Sequence, residues 1–325
     1  MRYTISFPVT TLLMATAAFA EVPRVVTDIA PVHSLVSMVM GDIGAPGLLV
    51  KGGADPHSFQ LRPSQAADLQ KANLIVWMGA EMSPWLRRSL DGLETTAVQI
   101  ALLSADVTET RSYTDAGADG HDHAAAEPTP PTPANADMAG TEASATEASG
   151  HDGIDPHAWL DPHNAAAWLG LIAAELSALD PEHAAIYAGN AARGAADITA
   201  LEGELTALLA PVKSRPFVVY HDAYGYFSGH FGLTVAGEVA IGDASSPSAA
   251  RLADLRATLT AGSPVCIFPE AGHNPKLLLQ IADGLPVAIG GVLDPEGAAL
   301  APGPALYPAL MRGLATTLAD CLTSR

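Results

Sequence analysis

Three histidines stand in turn-like or aromatic settings: His57 in Asp55-Pro56-His57-Ser58-Phe59, His157 in Asp155-Pro156-His157-Ala158-Trp159-Leu160-Asp161-Pro162, and His221 in Tyr220-His221-Asp222-Ala223-Tyr224-Gly225-Tyr226-Phe227. Neutral imidazole is the commonest side-chain ligand for metals near neutral pH. Three of them converging would suit zinc, with Asp294 of Leu293-Asp294-Pro295 adding a carboxylate oxygen. Three nitrogens and one oxygen fit a tetrahedral ion with bonds of about 2.0–2.2 Å. Such a site requires unprotonated rings, so affinity should fall below about pH 6.5. These residues are far apart in sequence, so only a fold that gathers distant loops can assemble them.

The elements that must do so alternate. Arg24–Ile29, Gly47–Val50 and Asn73–Met78 read as strands, separated by helices at Pro31–Met40 and Gln65–Lys71, the latter capped by Ser64. That order predicts a parallel sheet covered by helices. Two helices follow, Pro162–Leu179 and a longer one over Pro181–Leu209, whose Ile198, Leu201, Leu205 and Leu208 recur at three- and four-residue spacing. About 29 helical residues would reach roughly 43 Å, enough to run along two lobes, although Gly189 and Gly194 weaken its first half. Beyond it the alternation restarts, with strands at Phe217–Tyr220, Leu233–Ala236, Val265–Phe268 and Val287–Ile289 and helices at Ser248–Ala261, Asn274–Ala282 and Ala305–Leu322.

The expected fold is therefore α/β: two lobes, each a parallel-sheet sandwich, at 21–180 and 211–325, joined by a linker helix at 181–210. The metal should lie in the cleft between lobes, because ligands of open α/β sheets bind beyond the carboxyl ends of strands.

The two ends and the composition place the chain. Residues 1–20 carry one basic residue, an apolar run and a closing Ala18-Phe19-Ala20, the pattern of a cleaved export signal. No later segment is apolar for the ~18 residues that a membrane span requires. The formal net charge is −19, and from Tyr113 to Asp152 there are eight acidic residues without a Lys or Arg. Such a field repels nucleic acid and draws cations. This Ala-, Thr- and Pro-rich stretch, 113–152, reads as a disordered loop inserted in the first lobe. Cys266 and Cys321 form an even pair in an exported chain and read as a disulfide between a strand and the last helix. A zinc-thiolate role is the weaker alternative, since neither has a CxxC partner.

On these motifs the chain from Val25 onward resembles the periplasmic zinc-binding proteins of high-affinity zinc ABC importers, the ZnuA-type members of the cluster A-I solute-binding proteins. The matching stretches are Asp55-Pro56-His57 with Leu61-Arg62-Pro63-Ser64, the Asp155–Pro162 and Tyr220–Phe227 segments, and Leu293-Asp294-Pro295. The resemblance implies two lobes on one long helix with limited hinge motion. It also implies Zn2+ as transported ligand, His57, His157 and His221 as its ligands, and export to the periplasm. The implied partners are the membrane permease of a zinc importer and a periplasmic zinc chaperone, with the protein itself a monomer. Manganese-type relatives carry glutamate where this chain has His221, and nitrogen there favours zinc. Some relatives use a glutamate just before the first histidine; here Pro56 stands there, which leaves Asp294 or water for the fourth position, and Asp294 is the expected ligand. A cysteine pair at matching positions occurs in zinc-binding relatives. The acidic insertion resembles a His-rich family loop and offers His121, His123 and His151 for auxiliary capture.

The other histidines have ordinary readings. His33 is a packing or site-supporting residue at a helix start, and His163, His183, His230 and His273 are exposed or capping residues. Asp155, Asp161 and Asp222 either orient ligand rings or form Asp-Pro turns. Trp159, Tyr224 and Phe227 are packing. Two other functions compete: a manganese receptor or adhesin of the same family, and a zinc hydrolase. The second is disfavoured by the absence of HExxH, of a Gly-x-Ser-x-Gly elbow and of an evident general base.

Overall fold

A computed structural model describes residues 21–113, 153–240, 248–261 and 264–324. The export signal and the loop histidines His121, His123 and His151 lie outside these residues.

The first half forms a parallel sheet. Its strands are β1 (Val25–Thr27), β2 (Gly47–Leu48), β3 (Leu74–Trp77) and β4 (Val98–Ala101), in the order β2-β1-β3-β4. Helices α1 (Ala30–Met40), α2 (Pro63–Lys71) and α3 (Pro84–Gly92) make the crossovers. The second half repeats the plan with β5 (Phe217–His221), β6 (Val235–Ala240), β7 (Cys266–Ile267) and β8 (Ala288–Ile289), again all parallel and ordered β6-β5-β7-β8. Continuous buried runs such as Leu74–Trp77 are what sheets covered on both faces require. Between the halves lie α4 (Pro162–Leu179) and α5 (Ala184–Leu209). The C-terminal half adds α6 (Gly225–Phe231), α7 (Ala249–Thr260), α8 (Lys276–Ala282) and α9 (Leu306–Thr323). The expected class, two parallel-sheet α/β lobes with a long helix, is the one observed.

Several details differ from the sequence reading. Helix α3 and strand β4 were not anticipated: β4 has an exposed-exposed-buried-intermediate pattern rather than an apolar run, as an edge strand does. Helix α2 starts at Pro63, not after Ser64; Arg62 is its cap, and the Gln65 side chain accepts from the Arg62 amide at 3.0 Å. Helix α6 follows His221, where the sequence reading assigned no helix. The long helix begins with a tight turn at Pro181–His183, and its α-helical part is 26 residues, about 39 Å. Asp180 ties the turn, accepting from the Tyr187 hydroxyl at 2.8 Å with His183 Nδ1 at 2.7 Å.

Helix α5 buries Tyr187, Ala191, Gly194, Ile198, Leu201, Leu205 and Leu209 at three- and four-residue spacing, so one stripe runs its whole length. Gly194 is part of the stripe rather than a weak point. A Cβ there would lie 2.8 Å from Leu169 Cδ1 of α4, so glycine permits the close approach of the two helices. One apolar core joins α1, α4, α5 and α9 and takes in residues of both sheets. Cys266 on β7 and Cys321 on α9 form the expected disulfide. The side chain of Leu205 is fully buried. Leu205→Ala should therefore cost about 2–5 kcal/mol, read as a lowered midpoint in thermal or urea denaturation; an unchanged midpoint would contradict a core shared by the lobes.

Candidate metal centre

The carboxyl ends of the parallel strands supply the site. His57 lies in the loop after β2, His221 is the last residue of β5, and Glu270 and Asp294 follow β7 and β8. His157 was expected in a loop that follows a strand. It is reached from β4 through the inserted segment, whose flanks pair at Ser112 and Ile154, and it caps a short 3-10 turn at Ala158–Leu160.

The rings of His57 and His157 have centroids 5.6 Å apart, and those of His157 and His221 5.4 Å. An imidazole bound through one nitrogen has its centroid about 3.2 Å from zinc, so two rings on a tetrahedral ion lie about 5.2 Å apart. Both spacings are close to that value, with the His157 ring between those of His57 and His221.

Two of the rings are held at Nδ1 by carboxylates. His157, fully buried, donates from Nδ1 to Asp155 Oδ1 at 2.8 Å, and the same oxygen accepts the His157 amide at 2.9 Å. Asp155 thus both makes the turn and orients the ring. Gly225 lets α6 approach it, since a Cβ there would sit 3.0 Å from Asp155 Oδ2. His221 Nδ1 lies 2.5 Å from Glu270 Oε1, and Glu270 also takes the Tyr224 hydroxyl at 2.8 Å. Burial alone would raise the Glu270 carboxyl; the His221 charge and the contacts with His221, His273 and Tyr224 bring it down to about 2. A carboxylate on Nδ1 selects the tautomer that meets a metal through Nε2. The Nε2 atoms of His57 and His157 are both shielded from solvent. The His57 loop is held by Trp85, whose Nε1 donates to Pro56 O at 2.6 Å, and by the Asp55 Oδ1 contact to the His57 amide at 2.8 Å.

His57, His221, Glu270, His273, Asp294 and Glu296 line a cleft cavity of about 70 Å³, room for an ion with a few waters. Asp294 is positioned by the turn after it, accepting from the amides of Ala298 at 2.9 Å and Ala299 at 3.0 Å. Carboxylates crowd the rings. Burial raises Glu296 to about 8 against the pull of His157 and His221, with Glu270 and Asp55 adding to the rise. Asp222 is raised to about 6, by burial and then by Glu238 and Asp155. A dication placed among such groups would favour their ionised forms.

Sequence reasoning missed Glu270, His273 and Glu296. The first had a signal, a Pro-Glu pair at the carboxyl end of a strand. His273 was read as exposed, but it stacks on Tyr220 at 4.3 Å and lies 3.3 Å from Glu270. Asp161 does not orient the ring of His57, His157 or His221; it accepts the His163 amide at 2.8 Å at the start of α4 and contacts His230. His33 packs, its Nε2 3.1 Å from Pro46 O.

Comparison with known proteins gives the family. Residues 25–321 match the family model for the periplasmic component A of the zinc-uptake complex, ZnuA. The chain belongs to this family. Among its relatives, the high-affinity zinc uptake system protein ZnuA of Paracoccus denitrificans is 47% identical over 308 residues, covering 95% of this chain and 94% of that protein. The protein of the same name from Brucella suis is 38% identical, covering 92% and 91%. Among solved structures, the laminin binding protein of Streptococcus agalactiae, described as having adhesin and metal transporting activity, aligns with a TM-score of 0.71 at 23% identity, covering 92% of this chain and 99% of that one. A ZnuA crystal structure aligns at 0.70 and 22% identity, with the same coverage. These last two likenesses concern the fold.

Replacing the carboxylates behind the rings tests the geometry without touching a ring. Asp155→Asn and Glu270→Gln should each weaken zinc binding about 10–100-fold in a chelator competition assay; wild-type affinity in both variants would show that the rings need no such support.

Proposed function

We propose that the protein captures Zn2+ in the periplasm and delivers it to the membrane permease of a zinc ABC importer, with His57, His157, His221 and Asp294 as the ligands. The observation that carries this reading is the spacing of His57 and of His221 from the central His157 ring, each close to that of two rings on one tetrahedral ion, with buried carboxylates at Nδ1 of His157 and His221. Membership in a zinc-uptake family supports the cargo. Residues 1–20 would direct export and be removed, and the mature monomer would comprise lobes at 21–180 and 211–325 on a linker at 181–210. The same reading admits a periplasmic zinc chaperone as donor. No helix of the described residues is long and apolar enough to cross a membrane. The role is binding rather than catalysis: the carboxylates nearest the rings are engaged in holding them, and a cargo site needs no reacting group. The acidic insertion with His121, His123 and His151 would add weak auxiliary capture.

Nitrogen at His221 is the basis for zinc over manganese, because softer donors favour the later metal. Glu296 is a second candidate for the fourth ligand, since its carboxyl is electrostatically coupled to both His157 and His221. The ordered Asp294 carboxylate, already aimed by two amides, favours Asp294.

Competition titration checks both points. Manganese at equal concentration should leave bound zinc in place, and His221→Glu should narrow that preference. Asp294→Asn should lose more zinc affinity than Glu296→Gln. Displacement of zinc by equimolar manganese would overturn the cargo assignment, and the reverse order of the two carboxyl variants would move the fourth ligand to Glu296.

A further inference from the structure

Away from the cleft, a second group of histidines and carboxylates meets where α4, α5 and α6 come together. His230 Nδ1 lies 3.0 Å from Asp161 Oδ1, and His230 Nε2 lies 3.1 Å from Glu202 Oε1. His163 Nε2 is 3.4 Å from that same Glu202 oxygen, and the two rings meet edge to face at 4.7 Å. One ligand atom each from Asp161, His163 and His230 falls within 4.8 Å of the others.

We propose that His163, His230 and Glu202, with Asp161 behind His230, form a second divalent-cation site suited to Zn2+. Donors around a tetrahedral zinc with bonds of about 2.0–2.1 Å are about 3.3–3.4 Å apart, so Glu202 Oε1 already stands at ligand distance from both nitrogens. Asp161 on Nδ1 of His230 repeats the device of Asp155 on His157 and Glu270 on His221: a carboxylate fixes the ring and turns Nε2 toward the ion. Two imidazoles and one carboxylate leave the fourth position to water. The His163 side chain is 60% exposed and Glu202 26%, against 8% for His230, so the site opens to solvent on one side. It therefore binds less tightly than the cleft and exchanges with the medium.

Its placement gives it a structural consequence. His163 begins the helix that follows the His157 motif, Glu202 is on the linker helix, and His230 is on the helix that follows the His221 motif. One ion here ties both lobes to the linker, and a ligand that binds only the folded chain stabilises it by mass action.

The test uses the full mature chain with His121, His123 and His151 changed to alanine, so that the loop contributes no ligand. Calorimetric titration with zinc should give two ions per chain, one tight and one weaker. Adding His163→Ala and Glu202→Gln, with folding checked by circular dichroism, should remove the weaker ion and leave the tight affinity within about twofold, as for sites that share no ligand. In the complementary chain with His57→Ala and His221→Ala, the weaker ion should persist and then disappear when His163→Ala and Glu202→Gln are added. One ion per chain at the outset, or two ions that survive the paired substitution, overturns the proposal and leaves the cluster a hydrogen-bonded contact between lobes.

Discussion

The contact on which the rest of the molecule depends is a buried carboxylate against Nδ1 of a buried imidazole, made twice, at Asp155–His157 and at Glu270–His221. An ionised carboxylate removed from water is costly unless it is paired and hydrogen-bonded. Each of these is therefore surrounded by donors: the His157 amide for Asp155, and the Tyr224 hydroxyl and His273 for Glu270. A ring fixed in this way has one orientation and one tautomer, and a metal meets it without rearrangement.

That requirement explains the aromatic residues around the site. Tyr226 donates its hydroxyl to Asp155 O at 3.0 Å and accepts the Arg111 amide at 2.9 Å, tying α6 to the segment that carries His157. Trp159 Nε1 donates to Pro295 O at 2.8 Å, and the Tyr307 hydroxyl donates to Trp159 O at 3.1 Å. These bonds connect the segment bearing His157 to the turn bearing Asp294 and to the last helix. They run between the halves of the chain, and all but the partly buried Arg111–Tyr226 bond are buried, so the loops of the candidate site are fastened to one another rather than to separate lobes. With the core that α1, α4, α5 and α9 share, they favour a cleft altered by small local movements over one that closes by a wide hinge.

The motifs legible in sequence were those where local chemistry and function coincide. Asp-Pro-His makes a turn by itself, and the same aspartate that forms it at 155 orients the ring. The repeated strand-helix alternation likewise announced two parallel sheets, because buried parallel strands are apolar throughout. Where a residue's role comes from distant neighbours, local reading failed. Strand β4 is mostly exposed and carries little pattern, Gly194 looked like a defect until Leu169 was seen against it, and His163 and His230 looked like surface residues because nothing near them in sequence hints at Glu202.

The sequence by itself determined the class of fold and the disulfide pair and singled out three histidines as candidates, since periodicity, cysteine parity and Asp-Pro turns are written within a few residues of each feature. Only the tertiary structure decided which carboxylates stand behind the rings, that Glu270 and Glu296 share the cleft with Asp294, and that a second cluster bridges α4, α5 and α6. The reason is geometric. A ligand set is a statement about distances of a few ångströms between atoms whose residues lie tens or hundreds of positions apart, and such distances are fixed by how sheets and helices pack.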